Sequence, residues 1–146
     1  MYRNILIAID GSACSLSAAE AGLEIAKALG ATVTLLTVTP TWRSVGLSEL
    51  AIGITEEQFT ERTREYGDRC LAEVANLASA KGVACTTIQL PHARPSEAII
   101  DAADEHACDL IVMGSHGRRG AERLLLGSEA SRVLAHGKTA VLVHRR

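Results

Sequence analysis

Continuous apolar runs recur along the chain at intervals that suit buried strands. Five stretches are short, rich in Val, Ile and Leu or in other β-branched residues, and bounded by turn residues or charges, a composition typical of strands covered on both faces. They cover residues 4–9, 31–38, 83–90, 109–114 and 139–144. The first run stops at Asp10-Gly11-Ser12, residue types that favour a turn. The pattern therefore predicts five strands.

Segments in which apolar residues recur every three or four positions separate these runs. Residues 15–30 have this spacing, and Gly30 follows as a C-terminal cap. The other predicted helices cover residues 56–80, 94–107 and 128–136. Residues 39–54 contain one proline and two glycines and no sustained period, which predicts an irregular loop. Long loops in compact domains tend to be functional or mobile.

The order of these elements predicts the fold. Strands and helices alternate, and neither repeats nor linkers interrupt residues 1–146, so we expect one three-layer α/β domain with a largely parallel sheet. The first and fourth strands end in unusual loops, at Asp10 and Gly114. Ligands of open α/β sheets bind beyond the carboxyl ends of the strands, where the strand order reverses. If the two loops share a site, these strands are neighbours and the order 3-2-1-4-5 follows.

Composition narrows the function classes. The chain has 146 residues, 47% of them hydrophobic and only 3% aromatic, so we expect a core of Ala, Val, Ile and Leu. A formal net charge of −2 without basic and aromatic clusters argues against nucleic acid as a partner. No apolar run approaches the roughly 20 residues that span a bilayer, and the first residues lack signal-peptide features. We therefore expect a cytoplasmic protein that does not bind membranes.

Cysteine and histidine form no recognisable metal or disulfide pattern. The four cysteines include no C-x-x-C pair, and we expect them to be free and mostly buried. His106 and Cys108 lie two positions apart, but zinc requires three or four protein ligands. This spacing is therefore too little for a metal site, and the residues that would bind a metal stay unassigned.

The candidate chemistry lies in residues 112–131, "VMGSHGRRGAERLLLGSEAS". Gly114 and Gly117 follow the fourth strand, and Gly127-Ser128 begin the next helix. Glycines let backbone N–H groups approach an anion without a Cβ, and a helix N-terminus adds a favourable dipole. The motif is neither G-x-G-x-x-G nor a P-loop, and such residues also serve as turns and caps, so both roles stay open. Three arginines of the loop add positive charge, namely Arg118, Arg119 and Arg123.

The spacing G-x-x-G-x9-G-S from Gly114 to Ser128 resembles the nucleotide-binding signature of the universal stress protein family. The segments "ILIAIDGS", "ATVTLLTV" and "AIIDAADEHACDLIVMGSHGRRG" with the residues after it resemble the family element by element, so the resemblance covers the whole chain. It implies a Rossmann-like domain, also described as flavodoxin-like or adenine nucleotide alpha hydrolase-like. An intact glycine motif marks the ATP-binding subgroup of the family, which this chain resembles.

The resemblance also implies which residues bind the nucleotide. Asp10 would face the ribose or the adenine, Val38 would present its backbone to the adenine, and Met113 would lie beside the nucleotide. Ala8 occupies a position of the adenine pocket. The residues implied around the phosphates are Gly114, His116, Gly117, Gly127, Ser128 and Glu129. A magnesium or manganese ion would bridge the phosphate oxygens.

Two features qualify the resemblance. Glu129 stands where many relatives have a small apolar residue, and its carboxylate, although favoured by the helix dipole, would repel a triphosphate. The last predicted strand lies at the sheet edge, and relatives cover this edge by pairing across a two-fold axis. We therefore expect a homodimer through residues 140–144, with a tetramer left open. A proline at Leu142 should give monomers or insoluble protein.

Three functions stay open from the sequence. The first is a cytoplasmic, ATP-binding sensor or regulator in the stress response. The second is an interaction module of the same family that binds no nucleotide, and the third is a slow ATPase. No nucleophile and base are recognisable as a pair, so we assign no catalytic residues. Trp42, just past the second strand on the expected ligand side, offers a fluorescence signal for ATP.

Overall fold

The computed structural model describes residues 1–117 and 125–145. The strands are β1 (Asn4–Ala8), β2 (Thr32–Thr39), β3 (Cys85–Pro91), β4 (Leu110–Gly114) and β5 (Ala140–His144). The helices are α1 (Ala13–Leu29), α2 (Trp42–Ala51), α3 (Glu56–Lys81), α4 (Pro95–Glu105) and α5 (Ser128–His136). Apart from α2, these bounds differ from the predicted ones by no more than two residues.

The five strands form one parallel sheet in the order β3-β2-β1-β4-β5, as predicted. β1 is central, and its Ile7 pairs with Leu35 of β2 on one side and Val112 of β4 on the other. The chain moves outward from β1 to β3 and then returns to β4, so the strand order reverses beside β1. β3 and β5 are the edges of the sheet, and Pro91 ends β3, a position where a residue without an N–H is tolerated.

The side chains of β1 divide the hydrophobic core into two layers. Ile5 and Ile7 pack with residues of α1 and α3, whereas Leu6 packs with residues of α4 and α5. All three side chains are completely buried, and burying each contributes about 1.5–3 kcal/mol. Both faces of the sheet are therefore covered by helices, which is the predicted three-layer architecture.

The helix ends follow the chemistry that the sequence indicates. Ser12 caps α1, and Thr55 and Gln58 form a reciprocal capping box at the start of α3. Gly30 and Gly82 end these two helices. Within residues 1–117 and 125–145, no helix combines the length and the apolar composition needed to cross a membrane.

The prediction of an irregular loop over residues 39–54 is wrong, because α2 occupies the centre of this segment. Gly46 suggested a break, but it lies inside α2 and is buried there. A Cβ on Gly46 would lie 2.8 Å from the Trp42 ring, so the glycine lets the indole lie across its own helix. Trp42 also contacts Phe59 of α3, with ring centroids 5.6 Å apart. This packing, rather than a helical period, stabilises α2.

The four cysteines are free, as predicted, but only Cys70 and Cys108 are buried. Burial raises the pKa of the Cys108 thiol, which disfavours the reactive thiolate. Cys14 and Cys85 are half-buried. Cys14 lies in the first turn of α1, next to the end of β4.

Candidate functional site

The carboxyl ends of β1 and β4 lie side by side where the strand order reverses. β1 pairs with β4 up to Ile7 and Val112, and the loops that follow the two strands meet beyond this pair. A Cβ placed on Gly117 would lie only 3.0 Å from Oδ2 of Asp10. The two loops therefore lie next to each other, as a shared site would require, and the strand order was predicted from the assumption of such a site.

Hydrogen bonds from its own loop, α1 and α3 hold Asp10. Its N–H donates to Ser15 Oγ (3.3 Å), and its Oδ1 accepts from the N–H of Ser12 (2.9 Å). Tyr66 of α3 donates its hydroxyl to the Asp10 carbonyl oxygen (3.0 Å). The backbone of Asp10 is thus held on both sides, and one oxygen of its carboxylate has a fixed partner.

Gly114 and Gly127 allow two pairs of backbone segments to approach each other closely. A Cβ on Gly114 would lie 2.8 Å from Cys14 Sγ and 3.2 Å from the Cys14 carbonyl oxygen, so the end of β4 packs closely on the start of α1. A Cβ on Gly127 would lie 2.5 Å from the Ser115 carbonyl oxygen, which accepts a hydrogen bond from the Gly127 N–H (2.6 Å). Close packing alone therefore explains why a glycine occupies each of these positions. Their role in binding phosphates stays a prediction.

His116 carries a polar atom that nothing in the described ranges satisfies. Its Nδ1 lies 3.0 Å from Ser115 Oγ, within hydrogen-bond distance, and Ser115 itself is buried. Its Nε2 is buried and has no hydrogen-bond partner among residues 1–117 and 125–145. Leaving a buried polar atom unsatisfied costs about 1–3 kcal/mol, so a partner for this atom outside residues 1–117 and 125–145 would be favourable.

The N-terminus of α5 opens toward the same loops. Gly127 is its N-cap and provides no side-chain hydrogen bond. Ser128 is the first helical residue and is exposed, so it does not cap the helix, one of the two roles considered from the sequence. The first N–H groups of a helix have no intrahelical partner and bind anions readily. The three arginines of the loop, Arg118, Arg119 and Arg123, lie outside the described residues.

Glu129 has partners away from the loops. Its Oε2 accepts from the backbone N–H of Ser96 (2.7 Å), in the first turn of α4, and its Oε1 accepts from Arg132 (2.8 Å). The N-cap of α4, Arg94, makes no side-chain capping bond. Glu129 therefore caps α4 and contributes a favourable charge there. Its place near the phosphates stays a prediction, but both oxygens of its carboxylate already accept hydrogen bonds from Ser96 and Arg132.

The backbone direction of Val38 follows from the hydrogen bonds around it. Ile9 N–H donates to the Leu36 carbonyl oxygen on the β1 side, and His92 N–H donates to the Thr39 carbonyl oxygen on the β3 side. Successive residues of a strand direct their backbone groups to opposite sides. Those of Val38 therefore point toward β1, which has already ended at Ala8.

The remaining predicted residues lie on one face of the sheet at the same end. Ala8 and Val38 are half-buried against the α4 and α5 layer of the core, and Met113 belongs to that layer and is 6% exposed. The structure thus brings Ala8, Val38 and Met113 together on one face, although their predicted contacts with a nucleotide are not tested by this.

A groove of about 590 Å³ lies beside this end of the sheet, between α2 and α3. Thr39 and Pro91, at the ends of β2 and β3, form part of its lining with the rings of Trp42 and Phe59. It begins one residue past Val38 but includes none of the motif glycines. Trp42 is therefore close to the Val38 end of the site rather than to the glycine loop.

Two residues of the site, Ser15 and Tyr66, were not assigned from the sequence. The spacing Ser12-x-x-Ser15 at a helix start is typical of capping, and this signal could have identified Ser15. Tyr66 is 56 positions from Asp10 and resembles any other apolar position of α3. No spacing in the sequence points to the contact between them.

Comparison with known proteins agrees with this geometry. Residues 1–145 match the sequence profile of the universal stress protein family. The chain is 38% identical over 146 residues to Universal stress protein MJ0531 of Methanocaldococcus jannaschii, covering 100% of this chain and 84% of that protein. Its fold matches hypothetical protein MJ0577 with a TM-score of 0.81 and 26% identity, over 100% of this chain and 97% of the other.

A second solved structure is a universal stress protein in complex with cAMP. It matches with a TM-score of 0.68 and 26% identity, over 99% of this chain and 97% of the other. The match to the family profile covers almost the whole chain, and the five-stranded fold agrees with that of the solved structures. The chain belongs to the universal stress protein family.

Proposed function

We propose that this chain is an ATP-binding universal stress protein that acts in the cytoplasm as a sensor or regulator, through nucleotide occupancy rather than turnover. The observation that carries the proposal is the buried Nε2 of His116, which lacks a partner in the described part of the chain and lies in the loop that faces Asp10. A phosphate oxygen would satisfy this atom. A family relative solved with cAMP supports an adenine nucleotide as the class of ligand.

The base and ribose would bind at the β1 and β2 ends of the site. The backbone groups of Val38 point past the end of β1 and could recognise the adenine edge. Ala8 and Met113 would contact the ring from the adjoining face. The Asp10 carboxylate would accept a hydrogen bond from the ribose. The Ser12 N–H binds its Oδ1, while Tyr66 and Ser15 hold the Asp10 backbone.

The phosphates would bind between the glycine loop and α5. The N–H groups in the first turn of α5, which begins at Ser128, and the helix dipole favour negative charge. Glu129, which directly follows the motif, is compatible with an anion because Ser96 and Arg132 bind its carboxylate. Gly114, Gly117 and His116 would complete the phosphate site.

A divalent ion would enter this site with the nucleotide. Within the described ranges, no group of three or more His, Cys, Asp or Glu side chains could hold a metal ion by itself. Mg²⁺ commonly binds through one or two carboxylates and the substrate phosphates, and Asp10 is a carboxylate beside the loop. Magnesium or manganese would neutralise part of the phosphate charge.

Gly117→Val tests the phosphate site. A Cβ at this position meets Asp10 Oδ2 at 3.0 Å, and the valine methyl groups would fill the space between the loops. We expect the Kd for MgATP, measured by isothermal titration calorimetry, to rise about 30-fold, which equals about 2 kcal/mol. Gly117 is exposed, so the melting temperature should change little. Trp42 fluorescence offers a second readout at the adenine end.

The control for binding is Gly30→Ala, which costs about 1 kcal/mol of stability because Gly30 has a φ of +64°, but which lies at the opposite end of the sheet with nothing within 4 Å of its Cβ position. It should leave the Kd unchanged. Absence of ATP binding by the wild-type chain, together with absence of nucleotide in the denatured purified protein, would contradict the proposal and favour an interaction module. Phosphate release that one side-chain change abolishes would favour the slow ATPase.

We also propose that β5 pairs with β5 of a second copy to form a homodimer. β5 is an edge strand, and unpaired edges of this kind associate readily. Ser115 N–H donates to the His144 carbonyl oxygen, so the backbone groups of His144 and Leu142 face β4, and those of Val141 and Val143 face the open edge.

This geometry sharpens the expected effect of proline. At Leu142 a proline would remove a bond between β4 and β5, so insoluble protein is the expected result. At Val143 it would remove only an edge donor. We expect Val143→Pro to give a folded monomer, measured by light scattering after size-exclusion chromatography, whereas Val143→Thr stays dimeric. A dimeric Val143→Pro chain would exclude pairing through β5.

A further inference from the structure

Tyr66 connects α3 to the loop that follows β1. It lies in the middle of a 26-residue helix, half-buried against the core layer formed by α1 and α3. Its hydroxyl reaches the end of β1 and donates to the Asp10 carbonyl oxygen over 3.0 Å. The ring therefore packs as a core side chain while its polar end contacts the candidate site.

The absence of a side chain at Gly11 leaves space for the Tyr66 hydroxyl. The backbone of Gly11 has a φ of +81°, and a Cβ at this position would lie 2.0 Å from the Tyr66 hydroxyl oxygen. No side chain other than hydrogen fits there while the tyrosine is present. The turn after β1 and the tyrosine thus occupy complementary space, which determines the position of the Asp10 peptide.

The consequence for Asp10 is a carboxylate in a defined orientation. Tyr66 binds its carbonyl oxygen, Ser15 accepts from its N–H, and Ser12 N–H binds Oδ1. With these atoms held, Oδ2 lies on the Gly117 side of the loop. A group held in its binding orientation loses little conformational entropy when a ligand binds.

We propose that Tyr66 is a positioning residue that determines how strongly the site prefers ribonucleotides. This inference rests on the proposed function, in which Asp10 accepts a hydrogen bond from the ribose. Tyr66 touches no nucleotide atom, and it acts by keeping the Asp10 carboxylate where a ribose hydroxyl can reach it. Removal of its hydroxyl alone should weaken recognition of that one ligand group.

Tyr66→Phe tests this inference with three nucleotides. We expect the wild type to bind ATP about tenfold more tightly than the weaker of 2′-deoxy-ATP and 3′-deoxy-ATP, because hydrogen bonds to charged groups are strong. In Tyr66→Phe this ratio should fall to about threefold or less, with the Kd of that analogue nearly unchanged. A purely structural role would raise all three Kd values equally and leave the ratio intact, which would overturn the inference. Equal affinities of the wild type for all three nucleotides would also overturn it.

Amide hydrogen exchange provides a readout without nucleotide. In Tyr66→Phe we expect faster exchange at Asp10 and Ser12, with residues 33–36 of β2 unchanged. Tyr2→Phe is the control, because Tyr2 packs on the same core layer. Unchanged exchange at Asp10 and Ser12 would overturn the inference. If the wild type binds no nucleotide, the proposed function fails and the ribose preference falls with it, while exchange still decides whether Tyr66 holds the loop.

Discussion

Gly11→Ala is expected to destabilise the protein by about 4 kcal/mol. Two costs combine at this position. The left-handed conformation of an alanine costs about 1–2 kcal/mol, and overpacking a well-filled site costs about 1–3 kcal/mol. The second cost applies because the new Cβ would lie 2.0 Å from the Tyr66 hydroxyl and 2.9 Å from Cys70 Sγ. Urea unfolding at equilibrium measures the change in free energy.

Two further variants separate these costs. Gly82→Ala has a similar backbone, with a φ of +73°, but nothing lies within 4 Å of its Cβ position, so we expect a loss of only about 1 kcal/mol. Tyr66→Phe in the Gly11→Ala background removes the closest atom and should recover part of the lost stability. If Gly11→Ala and Gly82→Ala were equally destabilising, the contact with Tyr66 would not explain the glycine.

Gly114→Val is expected to destabilise the protein by about 3 kcal/mol and to weaken ATP binding in the same variant. The end of β4 lies so close to α1 that a Cβ would meet Cys14 Sγ at 2.8 Å and the Cys14 backbone at 3.2 Å. Overpacking of this kind costs about 1–3 kcal/mol. We expect a loss at the upper end of this range, because valine adds two methyl groups beyond the Cβ. Urea unfolding and calorimetry with MgATP measure the two effects.

A double-mutant comparison isolates the contribution of Cys14 Sγ to the cost of a side chain at position 114. Gly114→Ala should cost less in a Cys14→Ala background than in the wild type, because the sulfur is then absent. Part of the cost should persist, since the backbone of Cys14 also lies close. Additive effects of the two substitutions would show that the residues do not interact and would contradict the proposed contact.

Most of the fold was predictable because its determinants are local. The apolar runs and helical periods located every element except α2 to within two residues. The strand order required only one further assumption, that the loops at Asp10 and Gly114 share a site, and the contact between Asp10 and Gly117 agrees with it. α2 was missed because the contact of Trp42 with Phe59, seventeen positions along the chain, stabilises a segment without a helical period.

The sequence predicted residues that lie together at one end of the sheet, but it did not predict the contacts between them. The glycine motif and the resemblance identified the loop, and β1, β2, β4 and α5 bring the predicted positions to one end of the sheet. The same motif did not indicate that Gly114 packs on Cys14, or that Glu129 caps α4 through Ser96. A spacing pattern records which residue types recur, and it contains no information about the distant chain segment each one meets.

The sequence by itself determined the layers, the strand positions and the helix positions other than α2, because hydrophobic periodicity and turn residues act over a few positions. The glycine motif and the resemblance of the segments around it indicated the family. Only the tertiary structure decided which polar atoms meet. Tyr66 binds the Asp10 carbonyl across 56 positions, and Ser96 binds Glu129 across 33. Hydrogen bonds require their atoms to lie about 3 Å apart. That distance depends on how helices and strands pack, which the order of polar and apolar residues does not specify.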